Sequence, residues 1–244
     1  MDGARSGLVV LTFVATRGVE AVASSTGTLD RSVVERIVRQ VAQEYLGNGT
    51  RSAAPKLLVQ ASSRHMHVCR EDMDILFGPG TELTIDRPLY QDGFYAAKEM
   101  VTIVGPRSRI ISNLRILGPM RPQSQVELAF TDAIMLGFQD IPVRLSGDIA
   151  GTPGAVIVGP KGVVEMKEGL IRAAIHVHMG PGDAAHYGVA KGDRMKLRIG
   201  GDAGVTFNNV HVRIDANSKL NVHMDTDEAN ACGLHLTKDI ELLK

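Results

Sequence analysis

From residue 31 the chain carries a helical rhythm. In "DRSVVERIVRQVAQEYLGNG", Val33, Val34, Ile37, Val38, Val41 and Tyr45 recur at the spacing of one helix face. Ser32 with Glu35 makes a capping box, and Gly47 supplies the stop. The pattern predicts an amphipathic helix over 31–46, free to fold back on the body or to lay its apolar stripe on a partner. Residues 1–29 show no such period, and "GNGTRSAAPK" reads as a flexible linker. Beyond residue 57 the texture changes to short apolar runs broken by Gly, Pro, Asn and Asp. Examples are "KLLVQAS", "MVTIVG", "QVELAF", "PVRLSG", "AVIVG", "RMKLRIG" and "VHVRID". Short strands at regular spacing with turn signals predict barrels or sandwiches. Helices are expected only as short pieces, such as "TDAIMLG" from Thr131 and "DEANACG" near residue 227.

A faint internal repeat runs through this β-rich part. His65 and His67 align with His176 and His178 at a spacing of 111 residues, and Asp72 falls on Asp183 at the same offset. Each aspartate is expected to open a short helical piece. The halves are not equivalent, since Arg64 has Ile175 as its counterpart.

Bulk composition narrows the picture. With 244 residues and 44% hydrophobic content, the chain can bury a substantial core. Lys plus Arg equals Asp plus Glu at 27 each, which argues against a general nucleic-acid binder. Any anion site must be local. "GLVVLTFVA" at 7–15 is too short to span a bilayer, and Arg17 with Glu20 interrupts a signal-peptide pattern. No membrane association is expected. Cys69 and Cys232 form no C-x-x-C motif, which fits a reducing cytosol.

The histidines carry the chemistry. Four of the eight stand in two H-x-H pairs. Residues i and i+2 of a strand point the same way, so each pair aims two imidazoles into one space. Imidazole suits zinc, copper, iron and nickel. A catalytic zinc takes three protein ligands, so a third is needed at each pair. Candidates are Glu127 in "SQVELAF" and His223 in "LNVHMDTDE"; His186, His211 and His235 are expected at the surface or behind ligands. Cys69 shares strand parity with His65 and His67, as a neighbour of the site or as an inert buried thiol. On the anion side, Arg121 lies between Gly118-Pro119 and Pro122. A guanidinium on so stiff a loop suits bidentate phosphate recognition.

The ordered set "V-x-x-S-x-R-H-x-H", "RILGPxRPQxQVE", "VRLSGD", H-x-H-M and "HMDTDEANA" resembles the PduL-type phosphate propanoyltransferases, or phosphotransacylases, over residues 57–236. The resemblance implies a mainly β fold: two β-barrel domains with short capping helices and an N-terminal amphipathic helix. Residues 1–52 are then arm, helix and linker. Residues 53–80 give the first strand of barrel 1, 81–173 form barrel 2, and 174–244 complete barrel 1. It further implies acyl transfer between an acyl-CoA and phosphate at two Zn2+ ions. His65, His67 and Glu127 would hold one ion, and His176, His178 and His223 the other. Arg121 would bind phosphate as the catalytic arginine. Gln60, Ala61, Ser62, Arg107, Leu114 and Asn230 would contact coenzyme A. The family pattern also implies a homo-oligomer in the bacterial cytoplasm, packaged in a microcompartment with residues 31–46 contacting shell or cargo proteins. Two other readings stay open from the residues alone: a non-catalytic metal-binding β module, and a metal-dependent thioester hydrolase.

Overall fold

The computed structural model describes Glu35, Val38 and residues 55–244. Glu35 and Val38 are helical. The remainder of the expected 31–46 helix, and the arm before it, lie outside the described residues.

Residues 55–244 are mainly β, as the two-residue period requires, with a few short helices. Two curled sheets share the strands. The first has six, in the order β1 (Leu58–Ser62), β14 (Asn221–Asp225), β11 (His176–Met179), β13 (Val205–Ile214), β12 (Arg194–Ile199) and β15 (Ile240–Leu243). The second has nine. Its path runs β7 (Val143–Arg144), β10 (Leu170–Ala173), β6 (Gln125–Glu127), β2 (His65–His67), β5 (Ile110–Gly118), β4 (Tyr95–Val104), β8 (Ala155–Val158) and β9 (Val163–Met166). The hairpin strand β3 (Ile85–Pro88) adds to β4. The end strands of each path do not pair with one another, so each sheet is a curled half-barrel by its hydrogen bonds.

The chain also divides residues 53–80 between the two sheets. β1 pairs in parallel with β14, but β2, which bears the first histidine pair, lies between β5 and β6 of the other sheet. Ser63 and Arg64 make the break. β1 thus joins the six-stranded sheet and β2 the nine-stranded one.

Alternation decides which side chains face the core. In β12, Met195, Leu197 and Ile199 are buried, while Arg194 and Lys196 are exposed. The histidine strands follow the same rule with one difference. Met66 between His65 and His67, and Val177 between His176 and His178, are wholly buried in the two hydrophobic clusters. Val126 between Gln125 and Glu127, and Val222 between Asn221 and His223, are wholly buried too. The apolar residue anchors each strand to a core, so its polar neighbours must point together to the opposite face.

Four of these strands run directly into short helices. β2 leads to α1 (Arg70–Phe77), β6 to α2 (Phe130–Leu136), β11 to α3 (Pro181–Tyr187) and β14 to α4 (Thr226–Ala231). Asp72 and Asp183 both fall in the first turn of their helices. Asp225 caps α4, accepting the Glu228 N–H at 2.8 Å. The repeat is therefore structural: β2 pairs antiparallel with β6 as β11 pairs with β14, and His65 faces Glu127 as His176 faces His223.

Candidate active site

One cavity of about 530 Å³ opens between the two sheets. It is lined by His65, His67 and Glu127 from the nine-stranded sheet and by His176, His178 and His223 from the six-stranded one. Arg121 lines it as well. Side chains from distant parts of the sequence thus meet because each sheet turns one polar face toward the same space.

The first set is the tighter. One donor atom each from His65, His67 and Glu127 lie within 4.8 Å of one another, all three residues being buried. His65 Nε2 stands 3.5 Å from Glu127 Oε2. Ligands roughly 2.0–2.1 Å from one tetrahedral ion stand about 3.3 Å apart, so this spacing fits a shared cation. In the second set, His176 Nε2 and His178 Nε2 are 3.2 Å apart, which also fits. The ring of His223 lies 5.3 Å from that of His176 and 5.2 Å from that of His178. Its Nε2 meets the amide nitrogen of Asn221 at 2.8 Å. Among the described residues only the first set brings three donor atoms within 4.8 Å of each other.

Backbone carbonyls fix the tautomers. His65 Nδ1 meets Ser63 O at 2.8 Å, His67 Nδ1 meets Leu117 O at 3.2 Å, and His176 Nδ1 meets Ala174 O at 2.8 Å. A carbonyl can only accept, so each Nδ1 carries the proton and each Nε2 offers a lone pair to the cavity. Burial keeps His67, His176, His178 and His223 neutral. It pulls His67 down to about 2, helped by neighbouring His65 and by the charge of Arg121. Burial is also the main cause that depresses His176, and that holds His178 and His223 each at about 4.

Glu127 is aimed with equal care. The Ser146 hydroxyl donates to Oε1 at 2.6 Å and the Gln125 amide donates to the same oxygen at 2.7 Å. Oε2 is left facing His65. Burial alone would raise this carboxyl, but His65, the Ser146 hydrogen bond, His176 and Arg121 outweigh it and hold it below the usual carboxylate range. Arg121 donates to Ser146 Oγ at 2.9 Å. Gln125 also donates to Ser146 at 3.0 Å and accepts from Gly147 N at 2.7 Å, so a fully hydrogen-bonded chain links arginine and carboxylate. The Arg121 loop is pinned by its own N–H to Val68 O at 2.9 Å. Gly118 permits the approach of the Tyr95 ring beneath that loop, where a Cβ would fall 2.2 Å from the ring.

Three of the residues expected at coenzyme A line the cavity: Gln60, Ala61 and Ser62. Arg107 and Asn230 are exposed and stand outside its lining. Leu114 is wholly buried in the core, so a ligand contact there would come through its backbone. Cys69 is buried beside Ser124, outside the cavity lining, and burial pushes its thiol up. His186 and His235 are exposed, and His211 lines a separate cleft. The cavity residues not singled out from the sequence include Ser146 and Arg213. Ser146 lies in the "VRLSGD" stretch, which marked the family but gave the serine no task. Arg213 is signalled only by its parity with His211 in "VHVRID".

Neutral imidazoles, a single aimed carboxylate and arginines in one cavity are the equipment of an enzyme that handles an anion. The phosphate propanoyltransferase family model matches residues 58–235. A phosphate propanoyltransferase of Planctopirus limnophila is 50% identical over 228 residues, covering 89% of this chain and 93% of the relative. Those of Thermotoga maritima and Listeria monocytogenes are each 49% identical, over 74% and 72% of this chain and 86% and 81% of their own lengths. The chain is an acyltransferase. It belongs to the phosphate propanoyltransferase family.

Proposed function

We propose that this enzyme moves a short acyl group, propanoyl or similar, reversibly between coenzyme A and inorganic phosphate at a site holding two zinc ions. The observation that carries the reading is the meeting of both histidine sets and Arg121 around one cavity. The donor set fits zinc: Nε2 atoms of His65, His67 and His176 turned to the cavity by carbonyls behind their Nδ1 atoms, and one anchored carboxylate. His65, His67 and Glu127 would hold one ion and His176, His178 and His223 the other. Bound there, the ions would supply Lewis-acid polarisation and a counter-charge for developing negative oxygen or sulfur.

The chain's own groups do the rest. Arg121, held by Ser146, grips the phosphate and presents one oxygen to the thioester carbonyl. Gln60, Ala61 and Ser62 at the cavity wall receive the coenzyme A arm. Holding both reactants in one pocket removes much of the entropic barrier. A phosphate oxygen bonds to the acyl carbon as the carbon–sulfur bond breaks, and the phosphate proton ends on the thiol of coenzyme A. Direct transfer in a ternary complex is favoured, since the Cys69 thiol is raised by burial and lies off the cavity.

The test is to mix the purified protein with propanoyl-CoA and phosphate and follow free thiol. Phosphate-dependent release supports acyl transfer. Release without phosphate would make the protein a thioester hydrolase, and no release would leave a binding module. The proposal extends to a homo-oligomer of the bacterial cytoplasm, packaged in a microcompartment through residues 31–46, on the strength of the apolar stripe in that segment. Deleting residues 1–46 should abolish packaging and keep activity. Among the described residues no helix is long and apolar enough to cross a membrane.

A further inference from the structure

The cavity is more cationic than one phosphate-binding arginine explains. Its lining includes Arg64, Arg87, Arg115, Arg121 and Arg213 but only two carboxylates, Glu127 and Asp225. Both carboxylates are engaged, Glu127 by Ser146 and Gln125, and Asp225 by Arg172 and the Glu228 N–H. Most of the arginines are engaged as well. Arg64 pairs with Asp132 at 2.8 Å, Arg115 donates to Ala97 O at 2.5 Å, and Arg121 donates to Ser146. Arg87 lies on an exposed strand at the rim. Arg213 differs from all of them. It is half-buried, and among the described residues no hydrogen bond or ion pair compensates its guanidinium. A half-buried charge without a partner is costly, and the cost is tolerated where a ligand supplies the partner.

Its position completes the repeat. β5 runs parallel to β2, with Arg115 opposite His65, and the chain leaves β5 to deliver Arg121. β13 runs parallel to β11 in the same way, with His211 opposite His176 and Arg213 opposite His178. In each half the strand parallel to the histidine strand thus brings arginine to the cavity, Arg115 and then Arg121 in one and Arg213 in the other. Arg121 and Arg213 are close enough to oppose each other: after burial and the contrary pull of Glu127, Arg213 is the next cause acting on Arg121, and it lowers it.

We propose that Arg213 is a second clamp on the reacting phosphate, gripping it opposite Arg121 from the six-stranded sheet. The inference rests on the acyl-transfer reading for the identity of the anion. A phosphate dianion between the two guanidiniums removes their mutual repulsion, satisfies Arg213, and fixes the angle at which the attacking oxygen approaches the carbonyl. The phosphate groups of coenzyme A are the other phosphoryl chemistry available, and kinetics separates the two.

The experiment uses Arg213→Gln and Arg213→Lys in the full chain, with thermal melting as a check on folding. Steady-state kinetics reads KM for phosphate and for propanoyl-CoA separately. Metal content is measured by mass spectrometry, and titration calorimetry reads inorganic phosphate alone. Losing one charge-assisted grip should raise the phosphate KM about 10- to 100-fold in R213Q, with partial recovery in R213K. The propanoyl-CoA KM should stay unchanged, and metal content should not fall, since removing a positive charge beside His176, His178 and His223 favours a cation there. An unchanged phosphate KM, a rise confined to propanoyl-CoA, or loss of metal overturns the clamp. If wild type shows no phosphate-dependent thiol release, the acyl-transfer reading fails. Calorimetry then still decides the clamp: phosphate bound by wild type and lost in R213Q upholds it, and any other result ends it.

Discussion

Replacing Ser146 with alanine isolates the hydrogen-bonded chain from the groups that touch substrate. The hydroxyl makes three contacts, donating to Glu127 at 2.6 Å and accepting from Arg121 at 2.9 Å and Gln125 at 3.0 Å. Two of these involve charged partners, for which hydrogen bonds contribute about 1.5–3 kcal/mol each. Gln125 still anchors Glu127 Oε1 at 2.7 Å, so the carboxylate keeps one of its two donors. Arg121 loses the only side-chain hydrogen bond shown for it. The larger effect therefore falls on the arginine, and a loss of one such contact is about a 10- to 100-fold rise in the phosphate KM. Outer partners of metal ligands contribute a similar range to metal affinity, so zinc dissociation should also rise by about 10- to 100-fold. The assay is phosphate-dependent thiol release at saturating propanoyl-CoA, paired with zinc titration against a competing chelator. Ser146→Thr, which keeps the hydroxyl, should stay near wild type. If S146A matched wild type in both measurements, the chain from Arg121 to Glu127 would have no functional role, and the reasoning that links them would be wrong.

Three further outcomes follow from the same geometry. His67→Ala and His178→Ala should each remove one zinc per chain and leave the other, read by metal analysis of the purified variants; loss of both ions from either variant contradicts two separate sets. The metal-free protein should lose stability as pH falls. His67, His178 and His223 have folded values near 2, 4 and 4, below the ordinary 6.5, so the unfolded chain binds protons first and melting temperature should drop progressively from about pH 6.5 towards 4. A flat melting profile across that window would show that these rings are not held neutral. Arg172→Ala strands Asp225 and Glu228, both largely buried, and should cost about 3–5 kcal/mol by denaturant unfolding.

Much of the site is legible in the sequence because strand alternation is local. H-x-H with an apolar middle residue forces two imidazoles to one face, and Met66 and Val177 hold that face in place from the core. Glu127 and His223 are the residues that pairing brings opposite His65 and His176. Pairing itself is not local. Nothing in "VHVRID" says that β13 lies beside β11, so Arg213 carries no signal until the sheet is assembled. Ser146 is hidden for a different reason: a serine in a turn is common, and its task comes entirely from Gln125, Glu127 and Arg121 arriving around it. The division of residues 53–80 between two sheets depends on the two-residue break at Ser63 and Arg64, which composition does not mark. The contacts expected at Arg107, Leu114 and Asn230 came from the resemblance rather than from spacing, and these three side chains lie off the cavity.

The central claim is that six side chains from two sheets hold two cations beside Arg121. Anomalous diffraction at the zinc absorption edge, from crystals of the zinc-loaded protein with inorganic phosphate, tests it most directly. The account predicts two peaks, one about 2.0–2.1 Å from the Nε2 atoms of His65 and His67 and one at that distance from those of His176 and His178, with phosphate density against Arg121. No peak in the cavity, or a single ion bridging both histidine pairs, would contradict it.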